Sequence, residues 1–281
     1  MAELLVLGAL HWDVVVRAPR LPRMDETLRG ERVDYRLGGK GGNQALAAAA
    51  AGARTAFAGR IGADDPGRRM RRALEAGGVD VSAVSEGEGA SGMSVAITAA
   101  DGGYGAVIVS GENLGFDARA LRPPEGCRMV LAQNELGPET LAALPAVARA
   151  TGAAFWLNAA PAEGLAESVL RAADGLIVNR LEAGDILGTH DFPPRETVAA
   201  LAERAPRACV VVTLGADGAA FAAPGGAVEL APARAVAVRS THGAGDMFAG
   251  SLAAALLRGD ALAAAVAFAQ DRAAALIASD R

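Results

Sequence analysis

Apolar residues fall in short, unbroken runs at the start of the chain and again from about residue 127. Leu4-Leu5-Val6-Leu7-Gly8 has no polar interruption, which is the pattern of a parallel strand buried on both faces. Similar runs at 128–132, 154–157, 175–178 and 208–213 predict four more strands. Segments near 138–150, 163–172, 180–187 and 196–204 carry helical spacing between them, and two final helices are predicted over about 244–257 and 261–278. This alternation predicts an α/β fold with a mostly parallel central sheet and helices on both faces.

Two stretches break the alternation. Asp13-Val14-Val15-Val16 is strand-like, Pro19 and Pro22 interrupt it, and 32–37 alternates polar with apolar. Ser94 to Thr98 and Tyr104 to Val109 read as two strands around the turn Asp101-Gly102-Gly103. The expectation is a small β lid, from about 13–37 and 94–109, inserted into the α/β layer. Between these stretches, 38–42 reads as a glycine loop and 43–51 as a helix ended by Gly52. Residues 55–58 read as a short strand, and 66–76 as a helix stopped by Gly77-Gly78. No linker divides residues 1–281, so one domain with a lid is expected.

Composition narrows the function. Apolar residues make up 52% of the 281, enough for a full core, and the formal net charge is −5 with no basic patch, which argues against a nucleic-acid partner. An anionic substrate is then held by local donors and a metal ion, not by a global field. Cys127 and Cys209 sit in or beside apolar runs and read as reduced thiols. The apolar start is short and has no basic segment before it, and no apolar run of membrane-spanning length follows. A cytoplasmic protein without membrane contact is expected.

Two motifs carry chemistry. Gly38-Gly39-Lys40-Gly41-Gly42-Asn43-Gln44-Ala45 leads straight into a helix, and Lys40 is the chain's only lysine. Four glycines in five positions suit a ligand that approaches the main chain closely, and a compact ammonium suits phosphate or sugar oxygens. The order is neither a Walker A loop nor a dinucleotide fingerprint. The second motif is Ser240-Thr241-His242-Gly243-Ala244-Gly245-Asp246. Small residues opening a helix leave free N–H groups and the positive dipole end at one spot, an anion hole. A carboxylate beside such a hole repels phosphate, so Asp246 is placed as the general base for an attacking hydroxyl.

These two motifs, in this order, resemble the ribokinase-like (PfkB-type) carbohydrate kinases. Asn179-Arg180-Leu181-Glu182 and Thr213-Leu214-Gly215-Ala216-Asp217-Gly218 match two intermediate elements of the family. The resemblance spans nearly the whole chain, and the glycine loop is most similar to that of the ribokinase branch. It implies transfer of the γ-phosphoryl group of ATP to a primary hydroxyl of a small carbohydrate, with ribose the first acceptor to consider. It implies an anion hole of Gly243, Ala244 and Gly245, and an acceptor site of His11, Asp13, Gly39, Lys40, Asn43 and Glu135. It also implies a nucleotide side of Asn179, Thr213, Gly215, Gly218 and His242, with Mg²⁺ near Glu182 and held mainly through water. A homodimer through the lid is a further implication.

The chain departs from the pattern at three points. His11 stands where the ribokinase branch has Asn, and Ser240 stands where it has an aspartate beside a monovalent-cation site. The sequence stops at Arg281, where the family continues into a tail that lines the same site. Activation by K⁺ is therefore expected to be weak or absent. Nucleoside (pseudouridine-type), fructose-type and 2-keto-3-deoxygluconate acceptors stay open beside ribose. So does a silent sugar- or nucleotide-binding protein; a dehydrogenase is disfavoured by the missing fingerprint.

Overall fold

The computed structural model describes residues 1–279. The chain opens with β1 (Leu4–Leu7) and leaves the main layer as β2 (His11–Ala18) and β3 (Arg32–Gly38). It returns through α1 (Lys40–Ala50), β4 (Thr55–Gly62), α2 (Asp65–Ala76) and β5 (Asp80–Gly87). A second excursion forms β6 (Met93–Ala99) and β7 (Tyr104–Val109). Regular alternation follows: β8 (Met129–Gln133), α3 (Pro138–Ala150), β9 (Ala154–Asn158), α4 (Glu167–Ala172), β10 (Gly175–Asn179), α5 (Arg180–Leu187), α6 (Pro194–Arg204) and β11 (Cys209–Thr213). The hairpin β12 (Ala219–Ala222) and β13 (Glu229–Ala231), then α7 (Ala244–Arg258) and α8 (Leu262–Ala278), complete it.

Among the described residues the large sheet runs β13-β12-β11-β10-β9-β8-β1-β4-β5. Seven of its strands pair in parallel, and β12 and β13 are antiparallel at one edge. Successive strand residues point to opposite faces, so each apolar run feeds two cores. Leu5, Leu7, Val130, Phe155 and Val210 pack with Leu141, Leu144, Val198 and Leu201 from α3 and α6. Leu4, Val6, Leu131, Trp156 and Val211 pack with Ala48, Met70, Phe248, Leu252 and Val266 from α1, α2, α7 and α8. That double burial is why these strands show no polar alternation. Cys127 is buried, Cys209 is half-buried, and both are free thiols.

The lid is a separate four-stranded sheet ordered β3-β2-β6-β7, assembled from the two stretches that broke the alternation. Two expectations need correction. The helix after the glycines starts at Lys40, not Asn43, so Gly41 and Gly42 belong to its first turn. The strand expected over 55–58 runs on to Gly62. β5 and the β12–β13 hairpin give no clear sequence signal: β5 pairs irregularly with β4, and the hairpin strands are short edges. Among the described residues, no helix is long and apolar enough to cross a membrane.

The sequence direction of the sheet reverses at β1, which lies between β8 and β4. Open α/β sheets leave a crevice beyond the carboxyl ends of their strands at such a point. The polar residues Gln133, Asn158, Asn179 and Thr213 end four of these strands.

Candidate active site

The helix start at Lys40 is made possible by close backbone approach. Gly39 has φ 85° and serves as N-cap without a side-chain hydrogen bond. A Cβ on Gly39 would lie 2.5 Å from the Ala9 carbonyl oxygen, and one on Gly41 would lie 2.6 Å from Gly8 Cα. These two glycines are required by packing on the turn after β1, before any ligand is considered. The Lys40 N–H, freed at the helix start, donates to Glu135 Oε2 at 2.8 Å. The Lys40 ammonium acts electrostatically on Glu135, Glu182 and Asp246 at once, so it stands among three carboxylates.

The second helix start faces the first. Gly243 has φ 76°, in the left-handed region, and caps α7 with no side-chain hydrogen bond to the first turn. The amides of Ala244, Gly245 and Asp246 open the helix there, with the positive end of its dipole. Asp246 lies across from α1: Asn43 Nδ2 donates to its Oδ2 at 3.2 Å and Gln44 Nε2 to its Oδ1 at 3.0 Å. Gln44 is fully buried and belongs to a wider network. Its Nε2 also donates to Asn158 Oδ1 at 2.8 Å, and its Oε1 accepts from Gln133 Nε2 at 2.7 Å. Asn158 Nδ2 in turn donates to the Ile177 carbonyl at 3.0 Å. The helices meet at Gly250, where a Cβ would lie 2.4 Å from the Gln44 carbonyl oxygen. Burial raises the Asp246 carboxyl above the usual range, opposed by Lys40, by the Gln44 and Asn43 hydrogen bonds and by His242. A raised carboxylate held by two amides can take a proton from a hydroxyl near neutral pH.

The lid supplies one wall. Asp13 is buried on β2, raised by burial and lowered by Arg36, His242 and Ser94. Gly38 has no side chain because the Asp13 carboxylate occupies that space; a Cβ there would lie 2.2 Å from Oδ2. His11 is also buried, its Nε2 has no partner among the described residues, and burial lowers its pKa, which favours the neutral ring. A cleft of about 350 Å³ is lined by Arg36, Asn43, His242, Gly243 and Asp246 among others. His242 lines this cleft together with Asp246, and its presence opposes the rise of both Asp13 and Asp246. The left-handed Gly243 turns the chain between His242 and the helix.

The other wall is formed where β10 and β11 end side by side, with Asn179 and Thr213 in register. Asn179 and Glu182 form a reciprocal capping box: Glu182 N–H donates to Asn179 Oδ1, and Asn179 N–H to Glu182 Oε2, both at 2.8 Å. Arg180 Nη2 donates to Asp217 Oδ2 at 2.6 Å, which ties this element to the turn Gly215–Asp217. Gly215 has φ 63°, with open space where a side chain would stand, whereas Gly218 has φ 98° and packs against the Ala231 carbonyl. Among the described residues no group of three His, Cys, Asp or Glu forms a metal cage. The carboxylate and amide oxygens of Glu182 and Asn179 suit a hard divalent cation that keeps water and phosphate ligands.

Glu135 is pushed up to about 7, first by burial, with Asp246 and Asp13 adding to it and Lys40 opposing. A raised folded-state pKa means stability is fully present below the ordinary value and is lost as pH rises through about 7. Glu135→Gln is expected to flatten that window. Between pH 4.5 and 7.5 the wild-type melting midpoint should fall relative to the variant by up to about 5 °C. Parallel curves would contradict the assignment.

The structure brings together Asp246, Lys40, Asn43, Glu135, Asp13 and His11, from residues spread over more than 200 positions. Gln44, Gln133, Asn158, Ser94 and Arg36 were not selected from sequence, although polar residues closing apolar runs at 133 and 158 were a usable signal. A larger concavity of about 690 Å³, lined by Glu163, Asp185, His190 and Arg204, holds none of the motif residues.

The chain is similar to known proteins in sequence and in fold. Residues 1–280 match the description "pfkB family carbohydrate kinase". The chain is 31% identical to the ribokinase of Haemophilus influenzae over 280 residues, covering 96% of this chain and 90% of that one. It is 32% identical to the ribokinase of Bacillus subtilis over 280 residues, covering 98% and 92%. The Arabidopsis thaliana ribokinase complexed with ribose and ATP superposes with a TM-score of 0.87 at 25% identity, covering 100% of this chain and 94% of that one.

Proposed function

The chain belongs to the pfkB family of carbohydrate kinases, and from that premise we propose that it phosphorylates the primary hydroxyl of a ribose-type sugar with Asp246 as base. It is an ATP-dependent carbohydrate kinase. The names of its relatives make ribose the first acceptor to test. The observation that carries the catalytic assignment is the Asp246 carboxylate, held by Asn43 and Gln44 at the start of α7, which no side chain caps.

In this reading Asp246 takes the proton as the sugar oxygen bonds to the γ-phosphorus and the bond to the ADP oxygen breaks. The amides of Gly243 and Gly245 hold charge on the transferring group, joined by Ala244 once its N–H leaves the Thr241 carbonyl, to which it donates at 3.2 Å. Lys40, expected with the acceptor residues, is here assigned to phosphate oxygens because its ammonium acts on both Glu182 and Asp246. Gly39, Asp13, His11, Glu135 and Asn43 orient the sugar, and Thr213, Gly215 and Gly218 border the nucleotide. Mg²⁺, bound with ATP near Glu182 and Asn179, would neutralise phosphate charge. Positioning and electrostatics account for the rate, and the lid excludes water. An ADP-release assay over a panel of pentoses, hexoses, sugar acids and nucleosides tests this. Turnover with no panel member would support the silent binding protein instead.

K⁺ is expected to stimulate less than twofold. Ser240 is a neutral hydroxyl, and its Oγ accepts from the His242 N–H at 3.3 Å. A weakly held monovalent cation depends on ligand number and charge. Turnover with and without about 100 mM KCl at fixed ionic strength is the check. Several-fold stimulation by K⁺ and not Na⁺ would contradict it.

A second copy is the proposed cover for the lid's outer edge. β7 presents Val107, Ile108 and Val109, each more than half exposed, on an edge strand that pairs with β6 on one side and, among the described residues, with no strand on the other. An apolar open edge invites pairing. Light scattering should give a dimer for the wild type and a monomer for Ile108→Lys. A wild-type monomer at micromolar concentration would rule the edge out.

A further inference from the structure

Three side chains stand in a row on the inner face of the lid. The strand register sets Asp13 opposite Arg36 on β3 and opposite Ser94 on β6, and residues directly opposite share a face. Ser94 lies directly opposite Asp13 and favours its charged form, so Asp13 has a neutral polar neighbour. Arg36 approaches Asp13 only to 3.9 Å, which is an ion pair but beyond hydrogen-bond range. Among the described residues the Arg36 side chain makes no other ion pair and donates no hydrogen bond. Its guanidinium, 45% exposed, lines the cleft that contains Asn43 and Asp246, with His242 on the same wall.

Neutral sugar hydroxyls already have acceptors here in Asp13, Glu135 and Asp246. A guanidinium adds a different capacity, since its planar fork of donors matches two oxygens of a carboxylate or phosphate. Asp13 alone does not account for it, because a neutralising partner would close to hydrogen-bond distance. Resting on the kinase reading of this cleft, we propose that Arg36 is a specificity residue that reads an anionic oxygen group on the acceptor, away from the hydroxyl that is phosphorylated. The enzyme's preferred acceptor is then an acidic derivative of a small sugar, and the lid closes on it through Arg36.

The test compares matched pairs that keep the same free primary hydroxyl: D-ribonate against D-ribonamide, and D-ribose 1-phosphate against D-ribose. Turnover is read by ADP release and binding by calorimetry, for the wild type, Arg36→Gln and Arg36→Lys. The expected wild-type kcat/KM is at least ten times higher for one anionic member than for its neutral partner. Arg36→Gln should lower that anionic-to-neutral ratio at least tenfold, through KM, and Arg36→Lys should restore part of it. Which pair responds tells carboxylate from phosphate. Equal ratios in the wild type and Arg36→Gln, or no anionic sugar bound by the wild type, would overturn the proposal. Anion binding that depends on Arg36 without any turnover would support it and count against the kinase reading.

Discussion

Replacing Asp246 by Asn should lower kcat about 10²- to 10⁴-fold, the range that general-base catalysis supplies. The amide keeps the size of the side chain, and Asn43 and Gln44 remain as neighbours, so the two helices stay packed. ATP and sugar should bind with affinities within a few-fold of the wild type, because the lost function is exercised only as the proton moves. Single-turnover measurement of sugar phosphate, together with calorimetric titration of ATP and sugar, separates the two. A variant that retains more than about a tenth of kcat would show that another group takes the proton.

Lys40→Met should lower kcat/KM for ATP about 10²- to 10³-fold, comparable to the loss of a preorganised charge in a phosphoryl-transfer site. Lys40 opposes the burial of Glu135, Glu182 and Asp246 together, so removing it leaves three carboxylates with less compensating charge. The pH profile supplies a second readout. Burial raises the Asp246 carboxyl and Lys40 lowers it, so loss of the ammonium moves it further up. The acidic limb of kcat/KM should therefore shift to higher pH in Lys40→Met. A pure loss of ATP affinity with an unmoved limb would place Lys40 away from the base.

The layer of parallel strands was legible in the sequence because burial on both faces removes polar alternation from residues 128–132, 154–157, 175–178 and 208–213. The lid was legible because proline and alternating polarity broke that rhythm at two places. The start of α1 was not, since glycines lower helix propensity and only close approaches in the fold, such as Gly39 to Ala9 and Gly41 to Gly8, explain them. The glycine turn and Asp246 could be read as an anion hole with a base. The network Gln133–Gln44–Asn158 could not, because its partners lie 89 and 114 residues apart and meet only when β8, β9 and α1 pack together. Arg36 was hidden among the many arginines until the strand register placed it opposite Asp13.

The central claim is that this cleft moves a phosphoryl group from ATP to a sugar hydroxyl through Asp246. Phosphorus NMR of the wild type with Mg²⁺-ATP and the best acceptor of the panel tests it most directly. The account predicts one new phosphomonoester resonance on the primary carbon, formed in step with ADP and absent with Asp246→Asn. ADP accompanied only by inorganic phosphate, or sugar phosphate formed at an undiminished rate by Asp246→Asn, would contradict it.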